Sequence, residues 1–442
     1  MKKILLISLV AVFVFYSKLF ATHNMGGIIT YRHISGTTYE ATVTTYTKSS
    51  SPADRPDLLL YWGDDFSDTI PRISSELVSN NVLKNIYIGT HTYSSTGHYI
   101  LHVEDPNRNA GIINIPNSVN VPFYIEAELI TDGLNSENNS ALFSGIPIFD
   151  LNTDSFSFNL GFYDPDADIL TYDLIAPIGT DGSDVSGYSL PGEVSVDHVT
   201  GQLDWNVPSQ IGDYVFAVKI TECRNGEVVG SVVFDMKYTV INQPGNEFQF
   251  QNLSTWNMNN NGNYSYILLP NESFQLQVTL ANASSLSAFG EPFISSNIAT
   301  FNTVSSATDK LFSWQPTVAR CSPYSVVFRG KSDMERDITV LIYVRSQNME
   351  YCDTICGAAL SVESVPGNNH VVVFPNPAAA QLIIQSPVKI TSVHIFDITG
   401  REINPVTLSF ADGQTILDIS HLQHGNYVLV INGNIARRVV VE

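Results

Sequence analysis

Apolar and polar residues alternate along most of this chain with a period of two. Tyr39, Ala41, Val43 and Thr45 alternate with Glu40, Thr42 and Thr44, the pattern of a strand with one face buried. The same period recurs at Phe156/Phe158/Leu160, at Phe274/Leu276/Val278/Leu280 and at Tyr427/Leu429/Ile431. Clusters of Gly, Pro, Asn and Asp separate these runs at short intervals. No segment sustains a helical period with caps. The pattern predicts an all-β chain built of several small β-sandwiches in tandem.

The first residues break the pattern. Lys2 and Lys3 precede an apolar run, Ile4–Tyr16, and a small residue, Ala21, follows a short polar step. This reads as a secretory signal peptide over 1–21; the run is short for a span of about 20 residues. Charge is also uneven. The 442 residues carry a net −21, yet only 15% are charged. The leader adds three Lys and no acid, and the stretch from Pro366 holds four basic and five acidic residues, so the body between carries −23. A body this acidic is expected to repel nucleic acid and anionic membrane. It suits an extracellular protein that binds cations, or one that uses the charge only for solubility. Cys223, Cys321, Cys352 and Cys356 can oxidise in a secreted chain and allow three pairings. Cys352-x-x-x-Cys356 has no further ligand at metal spacing, so structural disulfides are expected.

Four sandwiches are expected after the leader. The first, 22–145, holds Leu58-Leu59-Leu60-Tyr61-Trp62-Gly63-Asp64-Asp65, then His91-Thr92-Tyr93, then Gly97-His98-Tyr99. It resembles the polycystic-kidney-disease (PKD) domain, a small immunoglobulin-like sandwich, with Asp65 where that family has Gly. Its opening, Thr22-His23-Asn24 through Ile29-Thr30-Tyr31-Arg32, resembles the start of gliding-associated surface proteins of Bacteroidetes. The second and third, 146–242 and 243–347, read as diverged repeats. Trp205 precedes Tyr214 by nine residues, and Trp314 precedes Tyr324 by ten. Asp197 to Trp205 resembles the cadherin-like and immunoglobulin-like repeats of bacterial surface proteins. A buried Trp facing a Tyr-led strand belongs to a sandwich core. Residues 348–369 end in Pro366-Gly367-Asn368-Asn369 and read as a linker.

The last segment, 370–442, carries the most specific order of motifs. Pro375-Asn376-Pro377 opens it. Asp397, Gly400 and Arg401 follow, then Leu417-Asp418-Ile419-Ser420, then Gly425 and Tyr427, then Arg437 and Arg438. This order resembles the type A C-terminal sorting domain of the type IX secretion system. The resemblance implies a small terminal sandwich, export through the periplasm, type IX machinery as partner, and release or attachment at the outer-membrane surface. The residues agree independently: the Pro pair forbids helix, and Asn432-Gly433 is a hairpin signal.

The sharpest candidate chemistry is Asp164-Pro165-Asp166-Ala167-Asp168. Asp164, Asp166 and Asp168 can direct oxygens into one site, with Glu222 as a further ligand, and Ca2+ takes about 6–8 such ligands. A plain acidic turn is the alternative, and no other cofactor is expected. No Gly-x-Ser-x-Gly, His-Glu-x-x-His or Walker loop occurs. The expectation is a non-enzymatic adhesion or interaction protein that meets an extracellular protein or glycan. A carbohydrate-binding accessory protein and a gliding-associated structural component are the alternatives.

Overall fold

The structure is a computed structural model. It describes residues 24–51, 54–79, 81–132, 137–152, 156–206, 210–242, 248–259, 262–333, 335–346, 372–374, 378, 380–385, 390, 392–397, 401–403, 406–411, 414–431 and 435–441. The expected leader and the whole of the expected linker lie outside these residues. The chain divides into two compact units, Met1–Cys356 and Gly357–Glu442. Among the described residues there is no α-helix, only strands and three-residue 3-10 turns.

The first unit opens with β1 (Asn24–Ser35), β2 (Thr38–Lys48), β3 (Asp57–Tyr61), β4 (Ser67–Ser79), β5 (Val82–Thr92), β6 (His98–Asp105) and β7 (Phe123–Ile130). It continues with β8 (Leu142–Phe143), β9 (Asp150–Asn152), β10 (Phe156–Phe158), β11 (Phe162–Tyr163), β12 (Ile169–Ile175), β13 (Val194–Val196), β14 (Leu203–Trp205), β15 (Gly212–Arg224) and β16 (Glu227–Ile241). Tyr39, Ala41 and Val43 on β2 are fully buried while Glu40 and Thr42 are not, as the alternation predicts. From Val43 to Tyr46 every residue is buried, because a second layer covers the outer face there; Phe149 packs on Tyr46 at 5.4 Å.

The expected boundary at 145/146 is not a break in the sheet. The order β1-β2-β5-β4-β3-β6-β7-β16-β15-β12 runs straight across it. β16 has 15 residues, a length of about 50 Å. One of its edges therefore has room for three partners in turn: β7 at Gly230–Val232, β1 at Asp235–Met236 and β9 at Thr239–Ile241. The first seven strands curl until both outer strands meet β16. Gly26 permits this closure, since a Cβ there would stand 2.3 Å from Met236 Sδ. A bidentate ion pair seals the joint: Arg108 donates to Asp235 at 2.9 and 2.7 Å, and both are buried. One core, from Met25 to Val240, fills both segments.

The next strands are β17 (Gln249–Phe250), β18 (Tyr264–Leu268), β19 (Phe274–Ala281), β20 (Ser285–Gly290), β21 (Thr300–Ser306), β22 (Asp309–Trp314), β23 (Tyr324–Lys331) and β24 (Glu335–Val344). They form two four-stranded sheets, β17-β19-β22-β21 and β18-β24-β23-β20. Val278, Phe312, Phe328, Val340 and Ile342 fill the space between. The contact with the preceding segment is polar and buried. Arg329 donates to Asp337 at 2.8 and 2.7 Å and to the Ile146 carbonyl at 2.7 Å. Asp337 accepts the Asn159 N–H at 2.9 Å, and the Asn159 side chain donates to Thr339 and to the Thr200 carbonyl. Phe289 fills the hollow that Gly145 and Gly161 leave. Cys223 and Cys321 are both disulfide-bonded; Cys352 and Cys356 lie outside the described residues.

The second unit holds β25 (Val372–Phe374), β26 (Gln381–Gln385), β27 (Val393–Asp397), β28 (Glu402–Ile403), β29 (Val406–Ala411), β30 (Gln414–Asp418), β31 (Gly425–Ile431) and β32 (Ile435–Val441). Its sheets run β25-β26-β30-β29 and β28-β27-β31-β32. Leu382, Ile384, Ile395, Leu417, Leu429, Ile431 and Val439 form its core.

One device recurs in all four segments. Tyr99, Tyr214, Tyr324 and Tyr427 each donate the hydroxyl proton to an upstream backbone carbonyl, of Ser95, Gln210, Val318 and Gln423 respectively, at 2.7–3.2 Å. This is the tyrosine corner of immunoglobulin-like sandwiches. Gly stands two residues before three of these tyrosines, and Ser322-Pro323 precedes the fourth. The expected Trp–Tyr pairs meet edge-on, Trp205 with Tyr214 at 4.9 Å and Trp314 with Tyr324 at 4.8 Å. Tyr214→Phe keeps this ring contact and deletes one hydrogen bond. It is expected to lower unfolding stability by about 1 kcal/mol, read as a shift in urea midpoint at constant slope.

Candidate functional site

The acidic loop joins β11 to β12 and folds around its own first carboxylate. Asp164 Oδ1 accepts the N–H groups of Asp166 and Asp168 at 2.8 and 2.9 Å, a local turn that Asp favours. Pro165 fixes one backbone angle. Ala167 takes the left-handed conformation, φ 65°, at a cost a Gly would not bear. Asp164 and Asp168 are buried, and Asp166 is exposed.

Neighbouring elements bring the partners. Arg224, at the end of β15, clamps Asp168 at 2.8 and 2.6 Å and reaches Asp166 at 3.4 Å and the Asn138 side-chain oxygen at 2.9 Å. Asn139 donates to Asp166 from its backbone and side chain, at 2.7 and 2.9 Å. Glu222, also on β15, is fully buried. Its oxygens accept the Ala141 N–H at 2.6 Å and the Asn138 amide at 2.7 Å. Gly230 on β16 makes room for that carboxylate, because a Cβ would lie 2.8 Å from Glu222 Oε2 and 2.2 Å from Tyr31 Oη.

Asp164, Asp166 and Asp168 thus come together, with one ligand oxygen from each within 4.8 Å of the others. Glu222 stands behind them, coupled to Asp164 through its charge but with both oxygens already hydrogen-bonded. Arg224, Asn138 and Asn139 escaped the sequence reading. Arg224 lies two residues after Glu222, so its spacing along a strand was a usable signal; the Asn pair carried none.

Burial dominates the electrostatics. It pushes the Asp164 carboxyl up from 3.8 to about 7, with Asp168 and Asp166 adding repulsion. Burial, then the charge of Asp164, holds Glu222 well above the usual carboxylate range. Asp164 Oδ2 is buried and has no hydrogen-bond partner among the described residues. Asp164 also lines a cavity of about 30 Å³ with Thr200, Ser322 and Ser325, room enough for ordered water. Ser325 Oγ is a second buried oxygen without a partner.

Among the described residues of this body, Phe66 and Tyr61 are the large aromatic side chains left exposed, at 66% and 37%. The four Trp are buried. On the outer face of β3, β6 and β7, Tyr61 stacks on His102 at 4.5 Å and 6°, and His102 on Tyr124 at 5.2 Å and 22°. His102 stacks on both neighbours, so Tyr61 and Tyr124 each give one face to it.

In the second unit, Gly425 and Tyr427 open β31, and Tyr427 pairs with Asp397 of β27. Arg437 and Arg438 lie on β32 opposite Leu429 and Val428, and Arg401 is exposed. Asp418 Oδ1 accepts the backbone N–H and the hydroxyl of Ser420 at 2.9 and 2.7 Å, which fixes the turn after β30. Pro375, Asn376, Pro377 and Gly400 lie outside the described residues.

No curated protein matches this chain. Solved structures similar to this chain include an I-band fragment of titin, at 10% identity over 68% of this chain and 97% of that one, TM-score 0.17. An N-terminal two-domain immunoglobulin module of a Drosophila receptor protein tyrosine phosphatase is similar at 9% identity, over 45% of this chain and 100% of that one, TM-score 0.18. An endo-fucoidan hydrolase of glycoside hydrolase family 107 is similar at 13% identity, over 45% of this chain and 34% of that one, TM-score 0.18. At these scores the likenesses carry no argument about function. Residues 372–442 match the secretion system C-terminal sorting domain family. The tail is a type IX sorting domain, and the chain is a secreted or cell-surface protein.

Proposed function

We propose that the chain is a non-catalytic adhesion or interaction protein whose tail delivers it and whose acidic body makes the contacts. The observation that carries this reading is the sorting domain at 372–442 on a body whose sandwiches share a sheet, a core and a buried polar joint. Sandwiches joined in this way present a binding face with little ordering cost. The partner is an extracellular protein or a glycan. The stacking of Tyr61 and Tyr124 on His102, which takes one face of each ring, favours the protein, because glycan rings bind open aromatic faces. Beads coated with the purified body should bind immobilised matrix proteins or neighbouring cells, and soluble body should compete. Absence of binding to proteins, cells and a glycan array alike would remove the reading. Loss of spreading in a deletion strain, with adhesion intact, would favour the gliding-associated alternative.

A second reading rests on Asp164 Oδ2. A buried carboxylate oxygen without a donor, beside Asp166 and Asp168, fits a hard divalent cation such as Ca2+. Arg224 already neutralises Asp168, so Asp164 and Asp166 would be the main ligands, with Glu222 adding charge from behind. Ca2+ is expected to give a saturable heat in calorimetric titration and to raise the melting temperature, both lost in Asp164→Asn. A titration with no heat and no change in melting ends this reading and leaves the adhesion reading standing.

A further inference from the structure

Among the described residues, Lys237 on β16 is the lysine that the fold buries completely. It lies on the face of β16 opposite to Met236 and Tyr238, which fill the core. On the neighbouring strand β15, Asp213 stands across from Thr239, two residues beyond Lys237 on the same face. Lys237 Nζ donates to Asp213 Oδ2 at 2.8 Å and to Thr239 Oγ1 at 3.1 Å. Thr239 donates its hydroxyl proton to Asp213 Oδ1 at 2.7 Å. Amine, hydroxyl and carboxylate thus close a ring. The Asp213 backbone is held on both sides, by its pairing with Thr239 and by Ile113, whose N–H donates to the Asp213 carbonyl at 2.8 Å.

This pair differs from the other ion pairs described. In Lys219–Glu128 and Lys331–Glu335 the lysine side chain is 39% and 56% exposed, against 1% for Lys237. Burial weakens the hold of the Lys237 amine on its proton, against the pull of Asp213, and Lys48 adds repulsion that Asp150 opposes. Buried opposite charges carry a desolvation cost that their attraction often fails to offset. A lysine can relieve that cost by giving up a proton, whereas an arginine keeps its charge. The buried pairs Arg108–Asp235 and Arg329–Asp337 therefore lack the route open to Lys237.

We propose that Lys237 and Asp213 condense into an intramolecular amide, an isopeptide bond that ties β16 to β15. Thr239 relays one ammonium proton to Asp213 Oδ1, which leaves a neutral amine facing a neutral carboxyl. The Nζ lone pair attacks Asp213 Cγ, and the N–C bond forms. A second proton passes from nitrogen to the Oδ1 hydroxyl, the C–O bond breaks, and one water departs. Oδ2 remains as the amide carbonyl, and the nitrogen keeps one proton. The step needs no oxidant and no activated carboxyl. One neutral amide replaces two buried charges, and strand pairing holds the reactants in place of a high concentration. The Asp213 side chain is 23% exposed, which gives the water an exit.

Mass spectrometry of the purified secreted chain, with disulfides reduced and the N-terminus determined, tests this. The chain should be lighter than its sequence by one water. A protease digest should contain one branched peptide joining Asp213 to Lys237. Lys237→Met and Asp213→Ala should each restore the full mass and lower the melting temperature. Lys331→Met, which removes an exposed ion pair, should keep the missing water. Thr239→Val should close more slowly, with both masses present in freshly folded protein; closure at the parent rate would remove the relay. The full mass in the folded parent chain overturns the proposal. So does a lost water that maps within one linear peptide or persists in Lys237→Met.

Discussion

Arg329→Ala is expected to destabilise the first unit by about 3–5 kcal/mol, the largest effect of any single side chain considered above. The substitution leaves Asp337 buried without its guanidinium and frees the Ile146 carbonyl that Arg329 satisfies. The cost arises from the stranded charge more than from the lost attraction. A paired replacement, Arg329→Met with Asp337→Leu, should therefore recover most of the loss. Denaturant unfolding of the two variants checks this. The single change should also loosen the joint with the preceding segment, since Asp337 holds the Asn159 N–H. Protease should then cut between the segments before either unfolds. Equal losses in the single and paired variants would show that packing, not charge, sets the cost.

The second large effect is a dependence on pH. Asp164 holds its proton in the folded chain up to about 7, against 3.8 for the free side chain. Between those values the folded state binds more protons than the unfolded state. Stability therefore falls as pH rises through this window, and the full penalty is present above it. At 1.36 kcal/mol per unit the penalty is roughly 4 kcal/mol, and Glu222, also raised by burial, adds to the fall. In chelator, the melting temperature should drop between about pH 4 and about pH 7. Asp164→Asn keeps the acceptor for the Asp166 and Asp168 N–H groups and removes the charge. It should flatten the slope and stabilise the chain at neutral pH. A melting temperature that rises across the same window would contradict the placement of these carboxylates.

Much of the architecture was legible in the sequence because it depends on local period and on a few large side chains. The alternation at Tyr39–Thr45 reports one covered face. Trp205 with Tyr214 and Trp314 with Tyr324 report a core, because only a sandwich interior accommodates rings of that size at that spacing. Asp164, Asp166 and Asp168 were found together because consecutive turn residues stay neighbours whatever the fold does. What the sequence hid is set by contacts between distant strands. Nothing local says that β16 is long enough to accept β7, β1 and β9 on one edge, so the expected boundary at 145/146 conceals a continuous sheet. Arg329, Asp337 and Asn159 are single polar residues in ordinary strands, and only their burial makes them a joint. Arg224 stands at a usable spacing from Glu222, but its role depends on the loop that folds back over β15. Burial also decides that Asp164 keeps a proton, and composition cannot distinguish a buried acid from a solvated one.

The most direct test of the account is where the body goes when the tail is removed. A chain ending at Pro366 should cross the inner membrane and remain in the periplasm. It should be protected from protease added to whole cells and released by osmotic shock. The intact chain should be found at the cell surface or in the medium, where the same protease removes it. Fusing residues 366–442 to an unrelated periplasmic protein should carry that protein outward. Surface exposure of the truncated chain, equal to that of the intact one, would contradict the assignment of export to this tail.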